Sequence, residues 1–286
     1  MTFSGVSIKQ VEKYWDERPC NIRHSPREVG SREYFDEVEA RKYFVEPHIS
    51  RFAEFERWAG KRVLEIGCGI GTDTINFARS GALVTAVDLS DESLKIARRR
   101  AEVFDLSDSI DFRRADAENL SEVVAPEPYD LVYSFGVIHH TPHPERVLDQ
   151  VRTNYARAHS IVKIMVYNRN SWKVLGILLG YGRGQFWKLD QFVASHSEAQ
   201  TGCPITYTFS PKQARKLFAA HGFPNAATRI DHIFPYRVSD YIKYRYEKEL
   251  HWKLVPKPFF RWLERNFGWH LCITARPLDA GKGSPI

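Results

Sequence analysis

Residues 63–71 read VLEIGCGIG, and this stretch decides the class of fold. A short apolar run leads directly into glycines at positions 67, 69 and 71, and a segment with helical character follows at 72–79. Glycine lets the backbone of such a turn approach a ligand closely, where a larger residue would not fit. A Gly-x-Gly pattern alone is a weak signal, because dinucleotide-binding sheets and some turns that bind nothing share it.

Segments of strand and helix character alternate along the chain from residue 61 to residue 167. Runs such as LVTAVD at 83–88 and YDLVYSFGV at 129–137 are separated by helical stretches such as 91–104. This alternation predicts an α/β fold, in which a doubly wound, mostly parallel sheet has helices on both faces.

Two acidic residues follow predicted strands at the ends where such sheets bind ligands. Asp88 stands 17 residues past Gly71 and ends the strand 84–87, where a carboxylate can accept hydrogen bonds from both hydroxyls of a ribose. A helix cap is the alternative for this position, although Ser90 is the better capping candidate. Asp116 follows the next strand, 110–114, where an adenine amino group would lie.

Four motifs in order resemble the class I S-adenosylmethionine-dependent methyltransferases: ExGCGxG at 65–71, VDLS at 87–90, ADAE at 115–118 and SFGVIHH at 134–140. The resemblance covers residues 61–167 and implies a Rossmann-like fold, with S-adenosylmethionine as cofactor and S-adenosylhomocysteine as product. A dehydrogenase is the disfavoured alternative, because its fingerprint is GxGxxG and residue 72 is threonine here.

The resemblance also assigns residues to the parts of the cofactor. It implies that Glu65 and the glycine turn cradle the methionine part, that Asp88 holds the ribose, and that Asp116 and Ala117 bracket the adenine. The expected cofactor-binding residues are Tyr14, Glu65, Gly67, Cys68, Gly69, Gly71, Asp88, Leu89, Asp116, Ala117, Phe135 and Gly136.

Paired histidines follow the strand 131–137 and are the candidate catalytic residues. An imidazole of His139 or His140 could remove a proton from an incoming hydroxyl. Some sugar-modifying and other small-molecule O-methyltransferases of the family use such a pair, whereas other members keep it to shape the loop. In that alternative, His139 packs against the cofactor and His140 hydrogen-bonds the backbone. The expected substrate-binding residues are Trp15, His143, Tyr167 and Tyr207.

The core predicted for residues 60–167 is flanked by two less regular regions. Residues 1–59 have aromatic residues at helical spacing and are expected to form a helical cover or lid. Residues 168–278 are expected to form a substrate-side insertion and the closing strands. The tail at 279–286 is predicted to be disordered.

The cysteines, the apolar runs and the charge distribution limit the metal sites, the location and the partners to be expected. The four cysteines are widely spaced, which predicts reduced thiols and no metal site. No apolar run is long enough to cross a membrane and the N-terminus does not resemble a signal peptide, so a cytoplasmic location is expected. From residue 168 onward, 18 Lys and Arg face 8 Asp and Glu, which suits an anionic partner or simply a solvated face.

The expected function is in-line transfer of a methyl group to an oxygen or nitrogen of a small molecule, of natural-product or sugar type. The alternative within enzymes is an anionic macromolecule or lipid head group, such as RNA or a membrane lipid, held by the basic C-terminal part. The alternative from another class is a non-catalytic scaffold that binds S-adenosylmethionine. Specificity is assigned to residues 1–59 and 168–270, where no known motif occurs.

Overall fold

The computed structural model describes residues 3, 5–182, 184–196 and 202–278 of the 286-residue chain. The helices are α1 (Ile8–Glu17), α2 (Arg32–Val45), α3 (His48–Ala53), α4 (Thr72–Arg79), α5 (Asp91–Val103), α6 (Pro144–Gln150), α7 (Trp172–Tyr181), α8 (Leu189–His196), α9 (Pro211–Ala220), α10 (Val238–Tyr241), α11 (Leu250–Leu254) and α12 (Lys257–Phe267). The strands are β1 (Arg62–Ile66), β2 (Leu83–Asp88), β3 (Ile110–Arg114), β4 (Leu131–Phe135), β5 (Ile161–Asn168), β6 (Thr208–Phe209), β7 (Ala227–Asp231) and β8 (His270–Ala275).

The strands form one sheet in the order β3-β2-β1-β4-β5-β8-β7, with the short β6 paired parallel to β5. Strands β1 to β5 run parallel, whereas β8 is antiparallel to both β5 and β7. The chain reverses its direction of sheet growth at β1, which lies between β2 and β4. The mostly parallel α/β sheet predicted from the sequence is confirmed. Open sheets of this kind bind ligands beside such a reversal, at the carboxyl ends of the strands.

Apolar clusters cover both faces of the sheet because neighbouring residues of a strand point to opposite sides. On β1, Val63 joins a cluster with Ile75 and Phe77 of α4. Leu64 joins the other cluster, with Val147 of α6 and with Phe218 of α9. The two-sided burial explains why the central strands are mainly apolar and do not alternate strictly between apolar and polar residues.

The glycine turn after β1 requires glycine for steric reasons. Gly67 has φ +78°, and a Cβ at this residue would lie 2.2 Å from a side-chain carbon of Val137. Gly71 has φ +76° and precedes α4, and a Cβ there would lie 3.1 Å from Ala97 of α5. The first glycine therefore brings the turn against the end of β4, and the last lets α4 pack closely on α5.

The segments outside the alternating core are mainly helical. Residues 8–53 contain α1, α2 and α3, and residues 172–267 contain α7 to α12 together with β6 and β7. The predicted tail at 279–286 lies outside the described residues. Within the described ranges, no helix is both long and apolar enough to cross a membrane.

Candidate functional site

A cavity of about 270 Å³ opens at the carboxyl ends of β1 to β5. One wall of the cavity is formed by the N-terminal helix α1, through Ile8, Val11 and Trp15. Twelve of the residues expected from the sequence line it: Trp15, Gly67, Cys68, Gly69, Asp88, Leu89, Asp116, Ala117, Phe135, Gly136, His140 and Tyr167. The structure thus brings expected cofactor, substrate and catalytic residues to one place.

Asp88 ends β2 and organises the turn that faces it. Its carboxylate accepts hydrogen bonds from the backbone N–H of Gly69 at 2.7 Å and of Ser90 at 2.9 Å. Burial raises the pKa of Asp88, and these backbone donors oppose that rise. Ser90 itself caps α5 by accepting from the backbone N–H of Ser93. The capping role therefore belongs to Ser90, and the Asp88 side chain faces the cavity beside Gly69.

Asp116 lies in the loop after β3 and lines the next part of the cavity, with Ala115 and Ala117. Its carboxylate accepts from the backbone N–H of Glu118 at 2.9 Å and from the side-chain amide of Asn119 at 2.9 Å. These bonds fix the short 3₁₀ turn that begins at Ala117. The turn keeps a carboxylate and two small side chains at the cavity wall.

Glu65 lies behind the glycine turn and not in the cavity lining defined by the described residues. It is 3% exposed, and its carboxylate accepts a hydrogen bond from Thr74 Oγ1 at 2.6 Å. Burial, followed by the nearby charge of Asp73, raises the pKa of Glu65 to about 8. In the structure, Glu65 therefore holds the first turn of α4 from inside the core.

We expect the variant Glu65→Gln to remove a pH dependence of stability. The usual pKa of this carboxyl is 4.5, and burial raises it to about 8 in the folded chain. Between these values the unfolded chain releases a proton that the folded chain keeps, so the wild-type free energy of unfolding falls as pH rises. Glutamine can still accept from Thr74 and does not titrate.

Thermal melts from pH 5 to 9 test this expectation. The melting temperature of the variant minus that of the wild type should increase from pH 5 to pH 8 and then stay constant. A difference that does not change with pH would mean that the carboxyl is already ionised in the folded protein.

The helix α1 is fastened over the cavity by polar contacts that the sequence motifs did not indicate. Asp16 accepts a hydrogen bond from Ser90 Oγ at 2.7 Å, and Glu12 is paired with Arg114. Trp15 contributes to the cavity wall, whereas Tyr14 lies outside the lining and packs edge-on against Trp15 at 5.0 Å between ring centroids. The covering position of this segment therefore depends on contacts with α5 and β3.

The two histidines after β4 have different surroundings. His139 is fully buried, and burial lowers its pKa well below the usual value. Within the described part of the chain, neither of its ring nitrogens has a hydrogen-bond partner. His140 lines the cavity, and its Nδ1 lies 2.7 Å from the carbonyl oxygen of Ile205. A carbonyl can only accept, so Nδ1 carries the hydrogen and Nε2 is the basic nitrogen of the neutral ring.

The segment 202–207 supports the histidine loop from the other side. Cys203 Sγ and Thr206 Oγ1 each lie 3.4 Å from Nδ1 of His140. The backbone N–H of Tyr207 donates to the carbonyl oxygen of His139 at 2.9 Å. Tyr207 is outside the cavity lining, so in this structure it positions the loop.

Of the other two residues expected to bind substrate near this loop, Tyr167 lines the cavity and His143 does not. The Tyr167 ring lines the cavity and packs between His139 and Trp269, with both centroid distances at 4.0 Å. His143 is outside the lining, and its ring nitrogen lies 3.3 Å from a carboxylate oxygen of Glu145. Of the four residues expected to bind substrate, Trp15 and Tyr167 therefore reach the cavity.

Several lining residues were not found from the sequence. They include Cys20, Asn21, Lys42, Glu46, Thr141, Met165 and His270. Lys42 is paired with Asp73 at 2.7 Å, and that carboxylate raises the pKa of Lys42 against the lowering effect of burial. Most of these residues belong to segments without a recognised motif, so no local signal in the sequence marked them.

A family model described as "Methyltransferase domain" matches residues 63–156. Among curated proteins, the ubiquinone biosynthesis O-methyltransferase of Psychrobacter cryohalolentis is 33% identical over 122 residues, which are 43% of this chain and 47% of that protein. The protein of the same name from Aromatoleum aromaticum is 40% identical over 86 residues, 30% of this chain and 36% of that protein. The chain spans about half the length of the curated relatives it matches.

Solved structures show the same architecture. Magnesium protoporphyrin IX methyltransferase from Synechocystis, solved with bound SAH, has a TM-score of 0.59 and 17% identity, covering 95% of this chain and all of that one. Phosphoethanolamine N-methyltransferase 2 from Haemonchus contortus has a TM-score of 0.57 and 16% identity, covering 96% of this chain and 61% of that one. At these identities the likeness shows the fold.

Proposed function

We propose, from the premise that residues 63–156 form a class I methyltransferase domain with the Rossmann-like fold, that this protein is an S-adenosylmethionine-dependent methyltransferase acting on a small molecule. Oxygen is the preferred acceptor atom over nitrogen, and the acceptor is of natural-product or sugar type. The curated relatives named O-methyltransferases support oxygen.

One observation carries the proposal: a single cavity is lined both by the motif residues and by His140. Gly69 and Asp88 stand at one part of its wall, and His140 and Tyr167 stand at another. A cofactor held by the first pair would therefore share the enclosed space with an acceptor beside the second pair. Sharing one space is the geometric requirement for a direct transfer between two bound molecules.

The residues present fit S-adenosylmethionine. A Cβ built on Gly69, where φ is +53°, meets no atom within 4 Å, so the turn leaves open space beside the Asp88 carboxylate. Carboxylate oxygens retain lone pairs for ribose hydroxyls after accepting one backbone bond each. The aromatic rings of Trp15 and Phe135 line the same cavity and suit a sulfonium cation.

When bound, S-adenosylmethionine supplies a methyl group on a positively charged sulfur that is already reactive. The residues of the chain then have two tasks, which are to align the acceptor and to accept its proton. His140 is suited to the second task, because the Ile205 carbonyl fixes the hydrogen on Nδ1 and leaves Nε2 basic. Trp15 and Tyr167 are suited to the first, since their rings give the cavity an apolar wall on which a flat acceptor can pack.

A screen of acceptors tests the proposal. The full chain is incubated with S-adenosylmethionine and a panel of phenols, sugars and amines, release of S-adenosylhomocysteine is measured, and the mass of each product is determined. A gain of one methyl group on an oxygen of a small molecule is the expected result. A folded protein that binds neither S-adenosylmethionine nor S-adenosylhomocysteine would contradict the proposal, and binding without turnover on any acceptor class would favour the scaffold alternative.

The second candidate is methylation of a lipid head group at an anionic membrane. Exposed apolar side chains occur on α11 and α12, namely Leu250, Leu254, Phe259 and Trp262, together with exposed Lys253, Lys257 and Arg261. Aromatic and basic residues mixed on one short helix suit a membrane interface. Binding to vesicles containing anionic phospholipid that weakens with salt and with Trp262→Ala would favour this candidate, provided that the lipid itself is methylated.

A further inference from the structure

A buried group of imidazoles and one carboxylate lies beside the cavity, away from the glycine turn. Glu46 directly follows α2, His232 directly follows β7, and His270 is the first residue of β8. Glu46 and His270 line the cavity. These three residues are far apart in the sequence, and the sheet brings them together because β8 lies between β5 and β7.

The distances within this group are compatible with coordination of one metal ion. One ligand atom from each of Glu46, His232 and His270 lies within 4.8 Å of the other two. Glu46 Oε1 and His270 Nε2 are 3.5 Å apart, which is long for a hydrogen bond. Two ligands of a tetrahedral zinc ion with bonds of 2.0–2.1 Å are separated by about 3.4 Å.

A fourth residue orients one of the imidazoles. His48 Nε2 lies 2.9 Å from His270 Nδ1, and both side chains are buried. If Nδ1 of His270 donates this hydrogen bond, Nε2 keeps its lone pair on the side that faces Glu46. Metal-binding histidines usually donate their second ring N–H in this way, which fixes the tautomer and the ring orientation.

His232 joins the group through ring contacts. Its side chain is 7% exposed and contacts the rings of His48 and His270. Its backbone has φ +72°, a left-handed conformation that is uncommon outside glycine.

We infer that Glu46, His232 and His270 bind one divalent transition-metal ion, for which Zn²⁺ is the best match, and that His48 positions His270. Two imidazoles and a carboxylate form a three-ligand set with room for a further ligand, whereas Mg²⁺ and Ca²⁺ prefer oxygen alone. The remaining position would face the cavity, since two of the three residues line it.

The chemical role that follows is recognition of an acceptor oxygen, and this part of the inference rests on the proposed function. A divalent ion at this place would bind a hydroxyl of the acceptor and lower its pKa, which favours the oxygen that accepts the methyl group. The acceptors expected are therefore molecules with a phenol or a pair of adjacent oxygens. Metal binding itself can be measured without cofactor or acceptor.

The experiment uses the full chain after removal of metals by a chelator. Zn²⁺ is titrated in competition with a chromophoric chelator, and zinc content is measured after dialysis. We expect one Zn²⁺ per chain. Glu46→Gln, His232→Asn and His270→Asn should each weaken binding by about 100-fold or more, and His48→Asn by about 10–100-fold. The control His159→Asn, which removes an exposed imidazole, should bind as the wild type does.

Co²⁺ binding to the unmodified chain keeps the test decisive if a buried variant fails to fold. The expected spectrum has visible bands from nitrogen and oxygen ligands and lacks a sulfur-to-cobalt charge-transfer band. Absence of tight binding in the wild type would overturn the inference. So would a charge-transfer band from a cysteine ligand, or folded variants that bind Zn²⁺ as tightly as the wild type. Each of these results is independent of whether methyl transfer is detected.

Discussion

Replacing His140 with alanine is expected to lower kcat by a factor of about 10²–10⁴ and to leave the affinity for S-adenosylmethionine nearly unchanged. The reason is that a hydroxyl acceptor needs a base when it attacks, and the His140 ring lines the cavity with its Nδ1 hydrogen directed to Ile205. His139 is a poorer base because burial lowers its pKa well below the usual value. Single-turnover rates and calorimetry with S-adenosylhomocysteine separate the two effects.

A second substitution distinguishes a base from a structural residue. Asparagine at position 140 can place an N–H near the position of Nδ1 and so keep the bond to Ile205, but it has no basic nitrogen. If His140 is the base, His140→Asn should be as inactive as His140→Ala. Recovery of activity in the asparagine variant would show that the ring only holds the loop. His159→Ala, at an exposed imidazole, is the matched control and should keep wild-type turnover.

Asp88→Ala should weaken the binding of S-adenosylmethionine by about 100-fold. Two ribose hydroxyls that donate to a carboxylate contribute about 1.5 kcal/mol each, and a total near 3 kcal/mol corresponds to this change in affinity. Part of the loss will come from the turn, because the same carboxylate accepts from the backbone N–H of Gly69 and Ser90. Isothermal titration calorimetry with S-adenosylmethionine and with S-adenosylhomocysteine gives the affinities directly.

Asp111→Ala is the control for this experiment. Asp111 lies on β3, its side chain is about half exposed, and it pairs with the equally exposed Arg113. Exposed pairs contribute about 0–1 kcal/mol, so neither stability nor cofactor affinity should change much. If folded Asp88→Ala binds as tightly as Asp111→Ala, Asp88 does not hold the cofactor.

The sequence by itself determined the sheet and the motif side of the cavity. The signals for these features are local in the sequence. The glycines at 67, 69 and 71 form a turn that larger residues could not adopt, and Asp88 stands directly at the end of an apolar strand. The carboxyl ends of parallel strands lie at one edge of the sheet, so residues that end such strands meet without further information. The lining therefore contains Asp88 and Asp116 as well as the glycine turn.

Only the tertiary structure decided which side chains reach the cavity and which support it. Glu65, His139 and Tyr207 have the right position in the sequence, but packing turns the first two side chains into the core and directs the Tyr207 hydroxyl to the backbone carbonyl of Pro142. Burial then sets their chemistry, since it makes the Glu65 carboxyl a weaker acid and the His139 ring a weaker base.

The group formed by Glu46, His232 and His270 depends on the tertiary structure most completely. It joins the end of α2 to two antiparallel strands near the C-terminus. No spacing in a linear sequence encodes a contact between residues more than 180 positions apart, because that contact depends on where the sheet places β7 and β8 relative to β5. The order of the strands, rather than any motif, puts these side chains beside the cavity.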